Sequence, residues 1–129
     1  MHTQQARDLA AYNRWMNEHI YTACALLSDQ ERKADRGAFF KSIHGTLNHL
    51  LLGDKIWLGR FLDEPFKTAG LDQELHSDFE ALQADRKATD QKIIGWCHQL
   101  TDTKLQGELR YTSIVNPIPR KYELWLAVT

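Results

Sequence analysis

Apolar residues recur at spacings of three and four from the start of the chain, where Leu9, Tyr12, Met16, Ile20, Ala23 and Leu27 follow one another between Thr3 and Leu27. That is the period of one helical face, and neither Gly nor Pro interrupts it. The spacing predicts a first helix with this stripe turned to a core. Ser28-Asp-Gln-Glu31 has the form of a capping box, in which the Ser and Glu side chains satisfy free amides reciprocally, so Ser28 opens a new helical turn. A second run places Phe40, Ile43, Leu47, Leu50, Leu51, Trp57, Leu58 and Phe61 on one broad stripe and predicts a helix over residues 38–62.

Asp63 to Gly70, punctuated by Pro65 and Gly70, reads as a loop. Ser77-Asp-Phe-Glu80 is another capping box, and it opens a run in which Phe79, Leu82, Arg86, Ile93, Trp96 and Leu100 keep helical spacing over 77–100. From Leu105 to Val115 the residues alternate in a strand-like way without an obvious partner strand, which predicts an extended connector. Pro117 and Pro119 stop it. Because Pro is tolerated in a first helical turn, Tyr122 to Thr129 reads as the opening of a fourth helix. The elements are those of an all-α protein.

Composition narrows the functional classes. With 129 residues, 16 Lys+Arg against 17 Asp+Glu and a net charge of −1, the chain reads as one domain without the positive field that draws nucleic acid. No apolar run approaches the ~18–20 residues that span a bilayer, and the first residues lack an apolar signal core. Cys24 and Cys97 are too far apart for a Cys-x-x-Cys clip and too few for a disulfide framework, so reduced thiols in a cytoplasm are expected.

The residues that could carry chemistry gather on the second helix. His49 lies beside its apolar stripe with Gly45 and Gly53 four residues to either side. A side chain at those places would crowd the imidazole, so the glycines leave a hollow or, alternatively, serve close helix packing. Two readings of His49 stand: a hydrogen-bonded core residue or a metal ligand. Asp54 falls on the apolar stripe and needs a partner inside the bundle, since a buried carboxylate is costly unless paired. His44 lies about 140° round the helix from His49 and cannot share its ion, at ~100° per residue. His19 could approach from the first helix, His76 caps a loop, His98 ends the third helix, and His2 is expected to be disordered. Cys24 and Cys97 read as buried small hydrophobes. Trp15, Trp57, Trp96 and Trp125, one per helix, read as core first and pocket lining second.

Tyr12-Asn13-Arg14-Trp15-Met16-Asn17, followed by the segment from Phe40 to Phe61 with its Thr46-Leu-Asn-His49-Leu-Leu-Leu-Gly-Asp54-Lys-Ile-Trp57, resembles the damage-inducible DinB-like (YfiT-like) superfamily. The resemblance covers the first three helices and the approach to the fourth. It implies a four-helix bundle in up-down-down-up order and a divalent metal, nickel or zinc, held by three histidines. By it His49 is the first ligand, with Asp54, Asn13 and Trp57 lining the pocket or holding the ligand in place. The other two ligands, a His-x-x-x-His pair on the fourth helix, are expected beyond Thr129, so that the single domain over 1–129 is expected to be C-terminally incomplete.

Similar proteins include thiol-dependent transferases, and the resemblance therefore implies a metal-dependent, thiol S-transferase-like bacterial enzyme. Its partners would be a small-molecule thiol or electrophile and a second copy of the chain in a homodimer, with neither nucleic acid nor a membrane. The competing reading is a catalytically silent helical bundle that dimerises or binds a partner, in which Gly45 and Gly53 serve packing and His49 is hydrogen-bonded.

Overall fold

A computed structural model describes residues 2–112 and 119–124 of the chain. Three long helices dominate: α1 (Thr3–Ala25), α3 (Ile43–Leu62) and α4 (Phe79–His98), with short helices α2 (Asp29–Lys33) and α5 (Asp102–Leu105) at turns. Strands β1 (Glu108–Thr112) and β2 (Pro119–Glu123) follow, and Leu124, the last described residue, is helical. None of the described helices is long and apolar enough to cross a membrane.

The helix ends follow local hydrogen-bonding chemistry. Ser28 and Glu31 form the reciprocal cap expected of them, with the Glu31 amide donating to Ser28 Oγ and the Ser28 amide to Glu31 Oε1. The second long helix starts at Ile43 and not near 38. Ahead of it the chain makes a tight bridged turn between Ala38 and Lys41, with Lys41 at φ 69°, and the Ser42 hydroxyl then caps the helix by accepting from the Gly45 amide. The cap of α4 is Asp78, which accepts from the Ala81 amide, in place of Ser77. His2, expected to be disordered, is held at the start of α1, where its amide donates to Gln5 Oε1 and the neighbouring Thr3 amide donates to Asp102 Oδ1.

The strand-like run after Leu105 does have a partner. Glu108 pairs with Glu123 and Thr112 with Pro119 in an antiparallel hairpin, so Tyr122 and Glu123, read as the start of a fourth helix, close a strand. Pro119 fits the end of a short two-stranded edge, where a missing N–H costs no ladder bond, and Pro117 lies outside the described residues. Leu124 is buried among Ala6, Ala10, Leu58 and Trp96. Residues 125–129, the rest of the expected fourth helix, and Trp125 with them, lie outside the described residues.

Residue pairings set the helix directions. Arg7 meets His98, Asn13 and Asn17 meet Asp90, and Tyr21 stacks on Phe79, so α1 and α4 are antiparallel. Asp54 meets Arg86 and Phe61 stacks on Trp96, so α3 and α4 are parallel. A parallel pair forces the chain to travel back along α3, about 30 Å at 1.5 Å per residue, and residues 63–78 make that journey. Leu47, Leu51, Phe79 and Leu82 fill one half of the core with Tyr21, while Leu58, Trp96, Cys97, Leu100 and Leu105 fill the other with Ala6 and Ala10.

On α1 the predicted burial is largely displaced, with only Met16 and Leu27 of the stripe half-buried. Its covered positions are Ala6, Ala10 and Tyr21, with Asn13 and Asn17 half-buried between them, whereas Leu9, Tyr12, Trp15 and Ile20 are exposed. The reason is α4, whose Asp90 accepts hydrogen bonds from both asparagines and is itself held by Arg86. Leu50 on α3 is also exposed, although its stripe-mates Leu47, Leu51 and Leu58 are buried.

Candidate functional site

The returning segment 63–78 is fastened to α3 rung by rung. Asp63 takes the left-handed conformation at φ 56° and the Glu64 amide donates to the Gly59 carbonyl, ending α3. Any side chain at Gly59 would strike the Glu64 carbonyl, since a Cβ there lies 2.6 Å from its oxygen. Further along, Lys55 sits over the Phe66 ring, His49 Nδ1–H donates to the Leu71 carbonyl at 2.8 Å, and buried Asn48 accepts from the amides of Leu75 and His76 while donating to the His76 carbonyl. His44 Nε2 meets Glu74 at 2.9 Å.

His49 is thus half-buried beneath this segment, its ring stacked on Phe40 at 3.8 Å between centroids. Its tautomer follows from its partner: a carbonyl only accepts, so Nδ1 carries the proton and Nε2 keeps its lone pair. Among the described residues nothing binds Nε2. The two flanking glycines differ in cause. A Cβ at Gly45 would lie 2.2 Å from the Phe40 carbonyl oxygen, so this glycine admits the bridged turn and not another helix, while a Cβ at Gly53 meets open space.

Asn13, Asp54 and Trp57 come together elsewhere. They line a cavity of about 440 Å³ between α1 and α3, floored by α4, and His49 is not among its walls. Asp54 has the partner its position demanded. Arg86, 3% exposed, donates through Nη2 to Asp54 Oδ2 at 2.5 Å and to Asp90 Oδ1 at 2.6 Å, and through Nε to Asp90 again. Asn13 and Asn17 complete the shell of Asp90. Burial drives the Asp90 carboxyl above its ordinary range in spite of Arg86. The role of Arg86 and Asp90 was missed in the sequence, although a visible signal existed: Arg86 occupies an apolar register of the third helix, as Asp54 does of the second.

The other histidines stay apart. His19 is exposed, donates from Nδ1 to the Trp15 carbonyl and packs on the Trp15 ring. His76 Nε2 meets Asp85 at 2.7 Å, and His98 is exposed in the last turn of α4. Burial raises the thiols of Cys24 and Cys97, which keeps both in the protonated, unreactive form. Of the tryptophans, Trp96 is core, Trp57 is a cavity wall and Trp15 is exposed.

Whether these residues fit a metal is decided by donors. A metal-bound histidine commonly donates its other N–H to a backbone carbonyl, and His49 does so. Yet a catalytic ion takes about three protein ligands, and no group of three His, Cys, Asp or Glu side chains able to hold one exists among the described residues. They fit one arm of a metal centre and do not complete it.

The helical architecture, with a long return segment pinned to its second long helix, is that of a small helical-bundle protein. The chain matches the family model described as DinB family over residues 1–126, and it belongs to that family. No curated protein and no solved structure matches it.

Proposed function

We propose that this DinB-family chain is a metal-dependent enzyme of thiol-transfer type, a bacterial cytoplasmic homodimer built as an up-down-down-up four-helix bundle. His49 contributes one ligand to nickel or zinc, and the remaining donors come from outside the described residues. The observation that carries the reading is the His49 tautomer: Nδ1–H held by Leu71 leaves Nε2 as a fixed lone pair. Such an ion, when bound, would lower the pKa of a coordinated thiol or water.

Metal content after loading with Ni²⁺ or Zn²⁺ and dialysis tests it, comparing wild type with His49→Ala and with His19→Ala as control. Stoichiometric metal lost only in His49→Ala is the expected result. Equal metal in all three proteins, or none in any, sinks the assignment.

A second reading, the catalytically silent bundle, is favoured by the place of the His49–Leu71 bond in the row of fasteners from Gly59 to His44. It predicts that His49→Ala lowers the melting temperature while metal content stays unchanged.

A further inference from the structure

The cavity between α1 and α3 has the size and walls of a small-molecule site, ~300–1,000 Å³ with mostly apolar lining and few polar groups. Trp57, Phe61 and Trp96 form a continuous aromatic wall, with Phe61 and Trp96 stacked at 4.6 Å and Trp57 tilted beside Phe61 at 6.0 Å. Tyr12 and Met16 face them from α1. Asp54 carries the one charge among the described lining residues, and its side chain is 37% exposed where that of Arg86 is 4%. Arg86 therefore sits behind the wall and serves two carboxylates, so one negative charge of the Asp54–Arg86–Asp90 group is left uncompensated by that group. Only Asp54 Oδ2 is engaged by Arg86; Oδ1 has no partner among the described residues.

An aromatic pocket with a carboxylate on its wall is complementary to an organic cation, because ring faces attract cations and the carboxylate supplies the counter-charge. The Trp57 ring already shows this attraction, with the Arg60 guanidinium 4.5 Å from its centroid; Arg60 is not a lining residue. Neutral apolar molecules would use the same walls but leave Asp54 stripped of water and unmatched. Anions would meet it directly.

We propose that this cavity binds a hydrophobic ammonium compound, its cationic head against Asp54 and its apolar body between Tyr12, Met16 and the Trp57–Phe61–Trp96 wall. The site is separate from His49, and its fate does not depend on the metal reading.

The test is calorimetric titration of the full chain with three compounds of one skeleton, 4-phenylbutylammonium, 4-phenylbutanol and 4-phenylbutyrate. The ammonium should bind about tenfold more tightly than the alcohol, with the carboxylate weakest, and the preference should vanish in Asp54→Asn. Quenching of tryptophan fluorescence by the ammonium should shrink in Trp57→Phe. If Asp54→Asn fails to fold, the ranking of the three compounds on the unaltered protein decides alone. Equal affinity for all three, absence of binding at millimolar concentration, or ammonium binding that disappears as the chain dimerises would each overturn the proposal. The last result would assign the groove to a second copy.

Discussion

Helices α1 and α3 carry apolar stripes of similar regularity, and the structure treats them in opposite ways. On α3 the stripe is honoured except at Leu50, for Leu47, Leu51 and Leu58 are buried against α4 and Tyr21. On α1 Leu9, Tyr12, Ile20 and Ala23 of the stripe are exposed and Met16 and Leu27 only half-buried, while two alanines and two asparagines face in. The difference lies in the partner. The α4 face that meets α1 presents Arg86 and Asp90, and a buried ion pair demands hydrogen-bonding neighbours more strongly than a leucine gains by being covered, since an unmatched buried charge costs several kcal/mol against about 2 kcal/mol for a leucine.

The sharpest way to break this comparison is to remove the group that imposes it. Arg86→Ala leaves Asp90, 2% exposed, without a counter-ion, and should cost about 3–5 kcal/mol in urea unfolding. Adding Asp90→Ala should restore part of that loss, because the second deletion removes the stranded charge. If Arg86→Ala unfolds with the wild-type midpoint, the polar seam does not organise α1.

A smaller effect reverses the usual order of hydrophobic substitutions. Ala10 is 5% exposed in the α1 seam, so Ala10→Leu, though it adds apolar surface at a helical position, should destabilise by about 1–3 kcal/mol through overpacking. A gain in stability would mean that the seam is looser than drawn.

Much of the fold was legible from period and caps, and the misses have physical causes. The Ser28–Glu31 box and the α4 stripe needed only local chemistry. The start of α3 was misplaced because Phe40 continues an apolar period that the turn at Ala38–Lys41, with its left-handed residue, breaks for reasons of backbone geometry. The hairpin was missed because strand pairing is non-local, and Tyr122 looks the same in a strand or a helix. At the candidate site, the demand of Asp54 for a partner could be read, whereas its identity could not. Arg86 and Asp54 are 32 residues apart, and only folding brings them together. His49 was found by its flanking glycines, yet one of these admits a turn backbone and the other faces open space.

Two aspartates on α4 extend the comparison to pH. For Asp85, burial pushes the carboxyl up, but hydrogen bonds from Lys55 and His76 outweigh it and hold the folded value below the ordinary 3.8. Its stabilisation is present above that value and is lost as pH falls through the folded value. Asp90 runs the other way: burial raises its folded value above 3.8, the folded state binds the proton more readily, and its contribution is greatest in acid and lost as pH rises through the folded value. Between about pH 6 and about pH 3, the deficit of Asp85→Asn relative to wild type should shrink, while that of Asp90→Asn should grow. Chemical denaturation at a few pH values measures both; slopes of the same sign would refute the contrast.

The smallest effect is the most direct reading of the α1 face. Leu9 is 42% exposed on the rim of the cavity, so its truncation removes little buried surface and creates no void. Leu9→Ala should therefore change stability by no more than about 0.5 kcal/mol, although Leu9 opens a regular apolar stripe. Its deep counterpart Leu51, 0% exposed on the α3 stripe, should lose about 2–5 kcal/mol on the same truncation. Comparable losses for the two would show that the Leu9 face is covered in solution and would make the two helices alike after all.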